Sequence, residues 1–126
     1  MARIVICPTF DALNYSFYIK GLIDVFGQSG IQFSSRPFPS FPSPCLAFIL
    51  KDGRELRVVV DAADGAVLNT YTRPGLEWCD VYGKINLALT PLHVPEHHAH
   101  KCVPIGPSYP VRLWGPIESW YRAVKN

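Results

Sequence analysis

Charge is scarce in this 126-residue sequence: Asp, Glu, Lys and Arg make up 17%, and the net charge is +2. Basic residues never run together, so the electrostatic footprint of a nucleic-acid binder is missing. The four cysteines, Cys7, Cys45, Cys79 and Cys102, form no CxxC pair. Each lies in or beside an apolar run, where a reduced thiol acts as a small hydrophobe. That usage fits a reducing, cytosolic compartment. Long hydrophobic runs are absent too. Ile4-Val5-Ile6-Cys7 stops at Pro8, too short for a signal peptide or a transmembrane segment.

Proline is abundant, and it removes another class. Of 12 prolines, Pro37, Pro39, Pro42 and Pro44 cluster mid-chain, and six more crowd the region from Pro91 to Pro116. Helix interiors reject proline, so a helical bundle is excluded. With 48% hydrophobic residues the chain is nonetheless globular. At this length one core forms, burying roughly two-thirds of the unfolded surface.

The opening reads as strand, loop and helix. Arg3 to Pro8 is a β-branched run suited to a central strand covered on both faces. Asn14 caps a helix carrying Tyr15, Tyr18, Ile19, Leu22 and Phe26 on one face, with Gly27 and Gly30 as stops. A Ser/Pro-rich connection with at most a brief edge strand follows. Leu46–Leu50 and Leu56–Val60 then form a hairpin about Asp52-Gly53, which tolerates a positive-φ turn. Ala62 to Arg73 is ambiguous, with a short helix interrupted by Gly65 as one option. Trp78 to Leu89 reads as a strand with Cys79, Val81 and Ile85 inward and Asp80, Tyr82, Lys84 and Asn86 outward. Thr90 to Lys101 is a loop and Cys102 to Ile105 a short strand. Ile117, Trp120, Tyr121 and Val124 mark a final amphipathic helix opened by Gly115-Pro116. The expected architecture is α/β: a mixed, mostly parallel sheet of five to seven strands, helices on both faces, and one β-hairpin.

Neither GxGxxG nor a phosphate-binding loop ending in Lys-Ser or Lys-Thr occurs, and no GxSxG or HExxH. His93, His97, His98, His100 and Cys102 offer zinc-type ligands, but Pro91 and Pro95 oppose the helix that would align them and no second ligand pair exists. A solvated loop is the reading kept, with zinc as the alternative. Ligands of open α/β sheets bind beyond the carboxyl ends of the strands. Thr9, Phe10 and Asp11 follow the first strand, Asp61 to Asp64 the hairpin, Lys84 and Asn86 close the next strand, and Ser108-Tyr109 follow the last. Asp11 or Asp64 has the chemistry of a general base or of a helix cap. Lys84 suits an anionic group or a solvated strand. The aromatics Phe38, Phe41, Trp78, Trp114, Trp120 and Tyr121 suit packing first and sugar stacking second.

Three stretches carry a resemblance. Val58 to Gly65 (VVVDAADG), Trp78 to Leu87 (WCDVYGKINL) and Val103 to Leu113 (VPIGPSYPVRL) resemble the N-terminal half of bacterial GT-B glycosyltransferases. The resemblance implies a Rossmann-like domain over residues 1–126, the acceptor-binding part of a longer two-domain transferase. Such an enzyme moves a hexose from a nucleotide-sugar to a glycan or lipid-linked acceptor, in the cytoplasm or peripherally at the inner membrane. By the same resemblance, Asp11 and Asp64 become candidate catalytic bases, and Thr9, Phe10, Lys84, Asn86, Ser108 and Tyr109 candidate acceptor contacts. No metal is implied, and the nucleotide-sugar belongs to a C-terminal donor-binding partner domain absent from this chain. The stripe of Trp120 and Tyr121 is then expected to face something outside it. A free-standing module binding a small ligand in the same strand-end cleft is the alternative.

Overall fold

A computed structural model of the chain describes residues 2–42, 44–63, 73–85 and 96–106. They build β1 (Arg3–Ile6), α1 (Ala12–Phe26), β2 (Ile31–Phe33), β3 (Leu46–Lys51), β4 (Glu55–Asp61), α2 (Arg73–Trp78), β5 (Val81–Lys84) and β6 (Cys102–Pro104). The six strands form one sheet in the order β2-β1-β3-β4-β5-β6. β1 runs parallel to β2, and β4, β5 and β6 are parallel to one another. β3 is antiparallel to both β1 and β4, so it alone points against the other five strands. The sheet is therefore mixed and mostly parallel, as the apolar runs require.

Local chemistry accounts for most element ends. The cap of α1 is Asp11, not Asn14: its Oδ1 accepts the Leu13 N–H at 2.9 Å. Asn14 instead donates its side-chain amide to Asp11 Oδ2 at 2.6 Å, which holds the capping carboxylate in place. Gly27, at φ 78°, ends the helix by donating its N–H to the Ile23 carbonyl. The β3–β4 hairpin turns through Asp52, Gly53 and Arg54, with Gly53 at φ 75°. Pro74 sits in the first turn of α2, where its missing N–H has no helical partner to lose.

Two apolar clusters flank the sheet. Ile4, Ile6, Leu46 and Val60 pack with Tyr15 and Ile19 of α1. Cys7, Ala47, Val59, Tyr82 and Cys102 pack with Leu76 of α2 and with Cys79. Neighbouring residues Val59 and Val60 belong to different clusters, as alternation along a strand demands. The Ser/Pro-rich connection is anchored on the second cluster, where the Phe38 and Phe41 rings stand 5.4 and 5.8 Å from that of Trp78. These three aromatics pack on one another.

The expected strand across Trp78 to Leu89 is corrected in its bounds and its faces. Trp78 ends α2, and β5 is confined to Val81–Lys84. Tyr82 and Lys84, expected outward, are 2% and 1% exposed. The face of β5 that carries Tyr82 is covered by the cluster containing Leu76 of α2, and these two polar side chains find buried partners there. The expected loop before β6 holds a 3-10 turn over Glu96–Lys101. The final amphipathic helix lies outside the described residues, as do Asp64, Asn86, His93, Ser108, Tyr109, Trp114, Trp120 and Tyr121. No helix among the described residues is long and apolar enough to cross a membrane.

Candidate functional site

The carboxyl ends of β1, β4 and β5 lie along one edge of the sheet, because these strands share a direction. From β1 the chain crosses to β2 on one side; from β4 it crosses to β5 on the other. The divergence leaves a crevice, the usual ligand site of open α/β sheets. Here a cleft of about 360 Å³ opens between Thr9, Phe10 and Asp11 on one wall and Phe41, Pro42, Pro44 and Cys45 on the other.

Behind that edge sits a buried polar cluster. Asp61 closes β4 and Lys84 closes β5, and the two are register partners. Lys84 Nζ lies 3.6 Å from Asp61 Oδ1 and donates to the Ala63 carbonyl at 2.8 Å. Tyr82 donates its hydroxyl to Asp61 Oδ2 at 2.6 Å, and the Ala63 N–H donates to Oδ1 at 2.9 Å. With side chains 1% and 5% exposed, neither charge reaches water. Each is instead answered by the other and by hydrogen bonds, the condition for burying an ion pair. Burial, reinforced by the Asp61 carboxylate, pushes the Tyr82 hydroxyl far above its ordinary range, so it serves only as a donor.

Tyr15 joins this cluster to the cleft. Its hydroxyl donates to the Pro44 carbonyl at 3.0 Å and accepts the Ala62 N–H at 3.1 Å. One buried side chain of α1 thereby fixes both the cleft wall and the exit of β4. Burial first, and Asp61 among nearby charges, push its ionisation well above the ordinary value. Cys45, on the cleft wall, is pushed up to about 12 by burial and then by Asp61. A thiol so held is protonated near neutrality and is no nucleophile. All four cysteines are free thiols.

Thr9, Phe10 and Asp11 follow β1 and line one wall of the cleft. Cys7 Sγ and Thr9 Oγ1 share a 3.1 Å hydrogen bond, which holds the turn after β1. Both oxygens of Asp11 are engaged in capping α1, but the residue remains exposed on the cleft. Lys84, expected as an anion contact, is instead neutralised by Asp61 beneath the surface. Asp64, Asn86, Ser108 and Tyr109 fall outside the described residues. Sequence reasoning put Asp61 at a strand end but missed Tyr82 as a site residue and overlooked the Tyr15 hydroxyl. No local signal marked them, because the burial of Tyr82 and Lys84 follows from what packs on β5.

Asp80 shows what the WCDVYGKINL stretch does. Its Oδ2 accepts the Arg57 N–H at 2.8 Å, its own N–H donates back to the Arg57 carbonyl, and the guanidinium lies 3.5 Å from Oδ1. The Arg57 N–H and guanidinium hold Asp80 below the usual carboxylate range. In this stretch Cys79 packs in the core, Asp80 clamps the β4–β5 pairing at one end, and Tyr82 and Lys84 clamp it at the other.

The histidines form a separate feature. The His97 and His98 rings are 4.1 Å apart, and burial pushes the His98 imidazole below its ordinary value. Cys102 donates its thiol to the His98 carbonyl at 3.5 Å. Among the described residues no group of three or more His, Cys, Asp or Glu side chains is placed to hold a metal ion. No protein-family model matches this chain, and neither a curated protein nor a solved structure matches it.

Proposed function

We propose that this chain is the acceptor-binding domain of a glycosyltransferase, receiving a glycan or lipid-linked acceptor in the cleft beyond β1. The observation that carries the reading is the cleft itself. It lies at the divergence of the two crossovers and combines aromatic walls, Phe10 and Phe41, with a hydroxyl and a carboxylate, Thr9 and Asp11. Apolar ring faces suit the C–H face of a sugar, and a carboxylate suits its hydroxyls. The architecture fits a Rossmann-like domain: α1 packs in one cluster and α2 in the other, as helices on both faces would.

In this reading Asp11 takes the proton of the acceptor hydroxyl as that oxygen bonds to the anomeric carbon and the bond to the nucleoside diphosphate breaks. Two of the roughly four lone-pair sites of its carboxylate are used in the helix cap, which leaves room for the hydroxyl. Asp64 is the second carboxylate, and Asn86, Ser108 and Tyr109 the further acceptor contacts. Lys84 acts from beneath, holding Asp61 and Ala63. The nucleotide-sugar is held by a donor-binding domain on the same polypeptide or a partner.

The mass of the protein in its source cells, read with an antibody against this domain, tests the reading. A band near ~40 kDa, two to three domains long, supports it, and turnover is then sought with the whole protein. A band at 14.1 kDa overturns the two-domain enzyme. It favours instead a free-standing small-ligand module, for which a cleft complete within one chain already suffices.

A further inference from the structure

The cleft beyond β1 accepts hydrogen bonds and donates few. Pro42 and Pro44 on its wall have no N–H, and the Pro44 carbonyl already accepts the Tyr15 hydroxyl. On the facing wall the Asp11 carboxylate only accepts, and the Thr9 hydroxyl is shared with the Cys7 thiol. Cys45 adds a weak thiol donor. A ligand seated here must therefore bring donors of its own.

Charge points the same way. Asp11 is the one charged side chain among the described residues that line the cleft. Lys84, which would have answered an anion, is buried and paired with Asp61. An anion would also compete with Asp11 for the Leu13 N–H at the head of α1. The aromatic walls add a third observation. Phe10 is braced by Phe33, with ring centroids 6.1 Å apart, and Phe41 stands edge-on to Trp78 at 5.8 Å. Both cleft rings are half-buried and held in place before a ligand arrives. Ring faces carry partial negative charge and attract cations. An ammonium brings three donors, no acceptor and a positive charge, whereas a sugar hydroxyl brings one donor and no charge.

We propose that this cleft selects a ligand bearing a protonated amine, seated on Asp11 between Phe10 and Phe41, and that the acceptor class is an amino sugar. As an acceptor class it rests on the glycosyltransferase reading; as a binding preference it belongs to the cleft alone. The lone pairs that the helix cap leaves free on Asp11 take the ammonium and the neighbouring hydroxyl together. A volume of about 360 Å³ suits one small ring.

Titrating the full, isotope-labelled chain with D-glucosamine and with D-glucose tests it, read from the amide shifts of Phe10, Asp11 and Cys45. At about pH 6 the amine is protonated. Glucosamine is expected to bind about fivefold more tightly than glucose, the size of one exposed charge pair. That preference should vanish in Asp11→Asn, which keeps the helix cap and so the fold. In the native chain it should shrink as salt rises from about 0.01 M to about 1 M. Equal affinities overturn the inference, as does a preference that survives Asp11→Asn or ignores salt. Tighter binding of D-glucuronate, or no shift of these amides with glucosamine, overturns it too. Should Asp11→Asn not fold, the salt series and the glucuronate comparison still decide. A single-domain band in the source cells overturns the transferase and leaves these affinities as they are, so the two failures are told apart.

Discussion

Replacing Lys84 with methionine removes the buried ammonium while keeping an unbranched side chain of similar volume, so packing is little changed. The partner, Asp61, keeps the Tyr82 hydroxyl and the Ala63 N–H but loses its counter-charge at 5% exposure. Breaking a buried pair from one side costs about 3–5 kcal/mol. The two surviving bonds put Lys84→Met at the low end, about 3 kcal/mol. A domain with the usual 5–15 kcal/mol survives that loss and stays measurable. With a urea m-value of about 1.5 kcal/mol/M, the midpoint moves down by about 2 M, followed by circular dichroism near neutral pH. Adding Asp61→Asn restores neutrality and keeps one of the two oxygen acceptors that serve Tyr82 and Ala63. The double variant is therefore expected to be more stable than Lys84→Met alone, by about 1–2 kcal/mol. If the two losses simply add, the buried charges are not answering each other, and the account of this cluster is wrong.

Further outcomes follow from the same contacts. Tyr15→Phe strands the Ala62 N–H and the Pro44 carbonyl and should cost about 2 kcal/mol, a melting-temperature drop of roughly 8 °C; a loss below about 0.5 kcal/mol shows that water replaces the hydroxyl. Asp11→Ala should cost about 1 kcal/mol through the lost cap, whereas Asp11→Asn stays within a few tenths because asparagine caps as well. In a whole transferase, Asp11→Asn should still lower turnover about 10²–10⁴-fold, and unchanged turnover rules Asp11 out as the base. Asp80 is held below its ordinary 3.8 in the folded chain, so its stabilising contribution is complete above that value and fades as pH falls through the folded one. Urea midpoints of the native chain and of Asp80→Asn should accordingly converge in acid; a gap that stays constant from neutral pH downward contradicts the clamp.

Period and punctuation in the sequence determined the elements. Strand β1, the α1 stripe, the β3–β4 hairpin with its Asp52-Gly53 turn, the brief edge strand after Gly30 and the short strand from Cys102 all stand where the pattern places them. These are local matters, set by side-chain alternation, helical spacing and the few residues that accept a positive φ. The same local information placed Thr9, Phe10 and Asp11 after β1. The choice between Asp11 and Asn14 as cap was also local, settled by the Asp11 carboxylate accepting the Leu13 N–H. The fate of the buried polar residues was decided only by tertiary structure. Alternation assigns Tyr82 and Lys84 to water, because a polar side chain in isolation counts as outward. Packing overrides it: the cluster with Leu76 of α2 covers Tyr82, and parallel pairing brings Asp61 of β4 beside Lys84. The buried lysine is answered there by a carboxylate 23 positions earlier, which arrives in register beside it. No window of sequence contains that pairing; it comes into being when the two parallel strands lie side by side.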